Sequence, residues 1–181
     1  MQIVGGTKKG LKLSSVKGDT TRPILDRVKT ALFDIIREDI KEKTFLDLFA
    51  GSGSVGLEAL SQGSRHATFI DINKNAIKTL NENITKTKFQ NNSTIYFKDA
   101  FKFLQTNEAN FDIIFIAPPQ YKELWIKALK LVDEKIKALS PDMIIVQIDP
   151  KEYKDIPLKN MILEKQKRYG NTILLFYKSS L

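Results

Sequence analysis

Between residues 45 and 148 two hydrophobic rhythms alternate. Short unbroken apolar runs occur at 45–49, 67–72 (ATFIDI), 94–97 (TIYF), 111–116 (FDIIFI) and 143–148 (MIIVQI). Between them apolar residues recur every three or four positions, as one face of a helix requires. The helical stretches are VGLEALSQG, ending at Gly63, then 75–85 with Ala76, Ile77, Leu80 and Ile84 on one face, then a short one at 101–104. A long one at 121–139 packs through Leu124, Trp125, Ala128, Leu129 and Val132, and FQNNS (89–93) reads as a loop. Such alternation predicts a doubly wound α/β sheet, mostly parallel, with right-handed crossovers. The unbroken run at 111–116 suits a strand covered on both faces. The ends break the rhythm. QIVGGTKKGLKL (2–13) predicts a short hairpin turning at Gly5, Gly6 and Gly10. Thr20, Thr21 and Pro23 give a helix start with Asp26 in its first turn, and Val28, Leu32, Ile35 and Ile36 predict an amphipathic helix over 24–39. Apolar runs near 160–166 and 171–177 have no helix between them and predict an antiparallel hairpin around Arg168-Tyr169-Gly170. With no repeat or linker, 1–181 reads as one domain, with a hairpin-and-helix extension over 1–43 and a core over 44–181.

Composition narrows the chemistry. The 181 residues include no Cys and one His. Disulfides, thiolate nucleophiles and Cys-ligated zinc are excluded, and a multi-His metal site or a His-based triad is not expected. No apolar run approaches the roughly 18–20 residues of a membrane span. The opening MQIVGGTKKG places two Gly and two Lys where a signal peptide is apolar, so the expected location is the cytoplasm. The net charge of +8 is unevenly placed. Residues 1–30 hold seven Lys/Arg against two Asp, residues 31–150 hold 15 positive against 16 negative side chains, and residues 151–181 hold seven against three. Positive ends around a balanced middle point to a polyanionic partner such as nucleic acid.

Gly51-Ser52-Gly53-Ser54-Val55-Gly56 matches G-x-G-x-x-G between a predicted strand and a predicted helix, the context this motif needs. Its glycines allow close backbone approach to a ligand near a helix N-terminus. Asp71 ends the second strand, one predicted helix beyond Gly53, where an acid can grip ribose hydroxyls. Together they predict an adenosine-containing cofactor, either a nicotinamide dinucleotide or S-adenosylmethionine (SAM). Asp47, four residues before Gly51, favours SAM: a carboxylate suits an ammonium group and not a pyrophosphate. Asp99, in KDAF, is placed to accept from an adenine amine and also to cap a helix at Ala100 and Phe101.

After the fourth strand comes Ala117-Pro118-Pro119-Gln120-Tyr121, at the sheet edge where ligands bind in doubly wound folds. Two prolines fix the backbone, and an aromatic just beyond can stack on a base. Here the chain resembles the class I SAM-dependent methyltransferases that modify exocyclic amines of bases, whose motif is Asp/Asn-Pro-Pro-aromatic. More narrowly it resembles the bacterial RsmD-like family, which methylates the N2 amine of a guanine in small-subunit (16S) ribosomal RNA. The resemblance runs through QIVGGTKKGLKL, Arg22-Pro23 with Asp26-Arg27-Val28, LDLFAGSGSVGLEALSQG and Arg168-Tyr169-Gly170-Asn171-Thr172. It implies a SAM-binding core over 44–181, an RNA-contacting segment over 1–43, and ribosomal RNA or the assembling small subunit as partner. It also implies a cytoplasmic monomer. The implied cofactor residues are Asp47, Gly51, Ser52, Gly53, Asp71, Ile72, Asp99 and Ala100. The transfer corner is Ala117, Pro118, Gln120 and Tyr121. This chain departs from the family at two points: Ala117 stands where the family has Asp, and the aromatic falls at Tyr121 behind Gln120.

The departure matters because a guanine amine is a poor nucleophile. Acceptors around its N–H groups favour the attacking geometry and take up developing positive charge. The Pro118 carbonyl and the Gln120 side-chain oxygen remain as expected acceptors, with Tyr121 stacking on the base after a loop shift. Two other readings stay open: a degenerate homologue that binds SAM and RNA without turnover, and a nicotinamide-dependent oxidoreductase. For RNA, Lys8, Lys9 and Lys12 with Arg22 and Arg27 are expected to meet phosphates, continued by Lys165, Lys167 and Arg168. His66 is expected on the surface or in satisfied packing, and Phe101 and Phe103 in the core or the adenine-pocket wall.

Overall fold

The computed structural model describes residues 1–17 and 24–181. The helix-start signal at Thr20, Thr21 and Pro23 and the RNA-contact candidate Arg22 lie outside the described residues. Seven strands form one sheet: β1 (Thr44–Asp47), β2 (His66–Asp71), β3 (Ser93–Phe97), β4 (Ile113–Ile116), β5 (Met143–Ile148), β6 (Met161–Tyr169) and β7 (Thr172–Ser179). Their order is β3-β2-β1-β4-β5-β7-β6. The first five are parallel, and β7 runs antiparallel to both β5 and β6. Among the described residues six α-helices accompany the sheet: α1 (Asp26–Ile35), α2 (Ser54–Ser61), α3 (Lys74–Thr87), α4 (Ala100–Thr106), α5 (Leu124–Glu134) and α6 (Ile136–Leu139).

The two-residue period of the strands sorts their apolar runs into two cores. Phe45, Ile113, Phe115 and Ile145 face α1–α3 with Leu32, Phe33, Leu57 and Leu80. Leu46, Ile114, Ile116 and Ile144 face α4–α6 with Phe103, Trp125, Leu129 and Leu139. Ile3, Leu13 and Val28 belong to the first core, so the N-terminal extension is built into the fold. The chain winds outward from β1 to β3 and then returns to β4. That reversal opens a crevice at the C-terminal ends of β1 and β4, where doubly wound sheets bind ligands.

Three elements differ from the sequence expectation. The hairpin over 2–13 is thin, with one bridge, Gln2 to Lys12, and a 3-10 turn at Gly6–Lys8. Ile3, Gly10 and Leu13 N–H donate within it, to the Leu11, Ile3 and Met1 carbonyls, while Val4 and Gly5 N–H donate to the Glu58 carboxylate of α2, each at 2.8 Å. Helix α1 ends at Ile35, and the turns that follow seat Ile36 and Ile40 in the core. The long helix begins only at Leu124, because Tyr121 and Glu123 take positive φ values of 61° and 53°. Those backbone angles cannot continue a right-handed helix.

Candidate active site

On the face toward α1–α3, alternate strand positions run Phe45 then Asp47, Phe115 then Ala117, and Ile145 then Gln147. The apolar series stops at the last member of each. Register brings these ends together, with Asp47 opposite Phe115 and Ile116 opposite Val146, so that Ala117 lies beside Gln147. A cavity of about 240 Å³ opens there, lined by Asp47, Ala117 and Gln147 together with Gly51, Ser52, Pro118 and Gln120.

Asp47 is 2% exposed, and its Oδ2 accepts the Gly56 N–H of α2 at 3.1 Å. Burial pushes its pKa up to about 7; the Gly56 N–H opposes the rise and the charge of Asp71 adds to it. A carboxyl so poised is short of a cationic partner. Gly51 has φ 55°, and a Cβ added there would meet nothing within 4 Å. The backbone there is open to the surroundings. Gly53 does not share it. A Cβ there would fall 2.2 Å from Leu80 Cδ1, so Gly53 makes room for a core side chain at its φ of 79°. Ser52 is half-buried, and its carbonyl accepts from Asn83 Nδ2 at 2.9 Å.

Asp71 holds the loop: its Oδ2 accepts the Gly51 N–H at 2.8 Å and its Oδ1 the Asn73 N–H at 2.7 Å. Each oxygen keeps a lone pair, since a carboxylate offers about four acceptor sites. Asp99 caps α4 by accepting the Lys102 N–H at 2.9 Å, with Ala100 buried behind it. Ile72 is 65% exposed. None of Asp71, Ile72, Asp99 and Ala100 lines the cavity, which belongs to the other end of the crevice. Phe103 is in the core; Phe101 meets Phe49, a cavity residue, edge-on at 6.1 Å. The donor set fits SAM: a carboxyl near neutrality for a cationic head, an open glycine, and an acid at the end of β2. A dinucleotide would set two phosphates against Asp47.

At the double-proline corner, Pro118 is buried and Gln120 half-buried against the cavity. Tyr121 is not part of the lining. Its hydroxyl donates to Asp149 Oδ2 at 2.9 Å and its N–H to Glu152 Oε1 at 2.7 Å. The Lys151 N–H, and after it the Tyr121 hydroxyl, hold the Asp149 carboxyl below its usual range. Tyr121 is therefore tethered at the rim, 65% exposed.

The basic candidates separate into two places. Lys9 and Lys12 are exposed, while Lys8 is half-buried with its ammonium 5.6 Å from the Phe89 ring centre. The Lys8 N–H donates to Ser61 Oγ at the far end of α2 from Ser54, which lines the cavity. That helix is about 12 Å long at 1.5 Å per residue. Arg27, by contrast, shares a small pocket with Leu25, Tyr169, Gly170 and Thr172, so the start of α1 meets the β6–β7 turn. Arg168 is exposed and its Nε donates to the Gly170 carbonyl at 3.2 Å. His66 is satisfied by Thr94 Oγ1 at 2.9 Å, and burial lowers its pKa. Among the described residues no helix is long and apolar enough to cross a membrane, and no cluster of three metal-ligating side chains occurs.

Sequence reasoning missed Lys29 and Glu58, both fully buried. Lys29 Nζ reaches the Gln2 carbonyl at 2.6 Å, Ser54 Oγ at 3.0 Å and Glu58 Oε2 at 3.3 Å, tying α1 and the hairpin to the start of α2. The signal was Lys29 standing next to Val28 on the apolar stripe. Gln147 was missed too, although it is the one polar residue within MIIVQI.

The family model described as Conserved hypothetical protein 95 matches residues 1–178. The chain belongs to the RsmD-like methyltransferase family. Its relatives in that RsmD-like family match end to end. The Haemophilus influenzae protein named Ribosomal RNA small subunit methyltransferase D is 31% identical over 182 residues, spanning 99% of this chain and 94% of that one. YlbH of Bacillus subtilis is 35% identical over 98% of both chains. The solved structure of yhhF from Escherichia coli superposes with a TM-score of 0.86 at 28% identity, covering 99% of this chain and 97% of that one. The fold is thus shared with yhhF over nearly the whole of both chains.

Proposed function

We propose that this chain is a SAM-dependent ribosomal RNA methyltransferase acting on the exocyclic N2 amine of a guanine in the small-subunit RNA. One observation carries the reading: Asp47 and the Ala117–Gln120 corner line one cavity at the crevice of an RsmD-like sheet. SAM, when bound, supplies an electrophilic methyl group. Asp47 would receive its ammonium, the open face of Gly51 would admit it, Asp71 would take the ribose hydroxyls and Asp99 the adenine amine. The rigid Pro118-Pro119 backbone would aim the Pro118 carbonyl at the base amine, and Gln120 would offer a second acceptor. Holding the amine beside the methyl donor turns a two-body encounter into a local one, a large share of such catalysis. Reaching one base in folded RNA requires an extruded or unpaired nucleotide.

The test is tritiated methyl transfer from SAM to small-subunit RNA, and to assembling small subunits, from cells lacking the protein. Nucleoside digests should show label in N2-methylguanosine. Label in another nucleoside would overturn the guanine assignment. Binding of SAM and RNA with no transfer to any RNA would establish the degenerate homologue instead, and rescue of transfer by Ala117→Asp alone would show that the missing acid is required.

A further inference from the structure

Ala117 leaves the corner without the acid that the family motif carries, and the sheet places another acceptor nearby. Strands β4 and β5 pair in parallel as far as Ile116 opposite Val146, and Ala117 and Gln147 are the residues that follow on the two chains. Neighbours in a parallel sheet project to the same face. Both line the cavity that also holds Asp47 and Pro118. The Gln147 Oε1 atom is buried and, among the described residues, has no hydrogen-bond partner. Buried polar atoms are overwhelmingly paired, so an orphan on a residue that lines a cavity marks a place for a donor; the oxygen is covered as it stands, and a turn about the last side-chain bond would bring it to the cavity. The short Ala117 side chain leaves the room that donor would need.

We propose that Gln147 receives an N–H from the amine-bearing edge of the target base, standing in for the acid absent at position 117. This rests on the guanine-amine reading above and assigns that site a residue for holding and selecting the base. A guanine edge presents N1–H and N2–H donors. An adenine edge presents a ring nitrogen lone pair at the N1 position, which would face the Gln147 oxygen and leave it unpaired. As the amine nitrogen bonds to the methyl carbon the methyl–sulfur bond would break, leaving S-adenosylhomocysteine, and the amine would lose one proton; an amide oxygen is too weak a base to keep it, so that proton would pass on to water. The part of the Gln147 oxygen is to orient the amine and take up developing positive charge.

The experiment compares wild type, Gln147→Met, and Gln147→Met combined with Ala117→Asp, in steady-state methyl transfer to small-subunit RNA from cells lacking the protein. Met keeps the length of the side chain and removes its acceptor. We expect Gln147→Met to lower kcat about a hundredfold or more, with KM for SAM within about twofold and an unchanged melting temperature; loss of one preorganised electrostatic partner of a transition state typically costs about 10²–10³ in kcat. Adding Ala117→Asp beside the vacated position should recover most of the lost kcat. A Gln147→Met enzyme with wild-type kcat would overturn the inference and leave the proposed function standing. So would a loss that the added Asp does not rescue, since a packing defect behaves that way. Wild-type enzyme with no transfer would overturn the function and this inference together.

Discussion

Asp47 is where burial and chemistry meet most directly. Its folded pKa of about 7 lies well above the roughly 3.9 of an unfolded Asp. The folded state therefore holds the proton more tightly, and between about pH 4 and 7 stability falls as pH rises. Asp47→Asn keeps an oxygen for the Gly56 N–H and removes that slope, so it should melt higher than wild type at pH 8 in thermal scans. The same proton competes with a bound ammonium. SAM affinity measured by calorimetry should improve about tenfold from pH 6 to pH 8, as a single group titrating near 7 requires. The Asn variant should bind SAM weakly with no such dependence. A flat wild-type profile would separate Asp47 from the cationic head. Legibility at this scale follows locality. Asp47, Gly51 and Asp71 stand out because their roles depend on a few neighbouring residues. Gln147 does not, because its place beside Ala117 follows from pairing between two strands that α5 and α6 separate in the chain. Gly53 reads like Gly51 in sequence and differs only through Leu80, a contact from α3.

Among the elements, the N-terminal hairpin, α1 and α2 are held by one buried charge pair. Glu58 accepts from Val4 N–H, Gly5 N–H and Gln62 Nε2, and faces Lys29. Removing one partner of a buried pair costs about 3–5 kcal/mol, because the other charge is left stranded. Glu58→Ala should lose stability of that order in urea denaturation, while Glu58→Gln, which keeps an acceptor, should lose less. The loop from Ala117 to Glu123 gives the complementary case. Its sequence reads as the start of a helix because the apolar spacing of α5 extends back to Tyr121. The positive φ values that delay the helix are accompanied by tethers of Tyr121 to Asp149 and Glu152, which lie beyond β5 in the chain. Tyr121→Phe releases the ring from Asp149 and keeps the stacking face. Its methyl transfer should equal or exceed wild type, whereas Tyr121→Ala should raise KM for RNA at least about fivefold, the lower end of base–aromatic stacking. Equal kinetics for Phe, Ala and wild type would remove Tyr121 from base binding.

At the scale of the whole molecule, the alternating rhythm specified the parallel sheet because each strand run is bounded by its own helix. The sequence leads to the expectation that the two positive chain ends form one surface; that Arg27 and not Lys8 is the residue near the C-terminal turn was not visible, since it depends on how β7 and β6 add to the far side of β5. That addition carries the Arg168-Tyr169-Gly170 turn to Arg27, from one end of the chain to the other. Lys8 instead lies at the end of α2 away from the cavity. The two clusters therefore make different predictions for a bound RNA. Each phosphate contact contributes about 0.7–0.9 to the slope of log affinity against log salt. If the base enters at the crevice, Arg27→Ala with Arg168→Ala should lower that slope by about 1.5 and raise the Kd for small-subunit RNA, with SAM affinity unchanged. Lys8→Ala with Lys9→Ala should change the slope less, because an RNA centred on the crevice must extend the full length of α2 to reach them. Filter binding at several salt concentrations measures both. A larger loss from the lysine pair would place the RNA along the hairpin, and the arginines at Gly170 would then serve the fold alone.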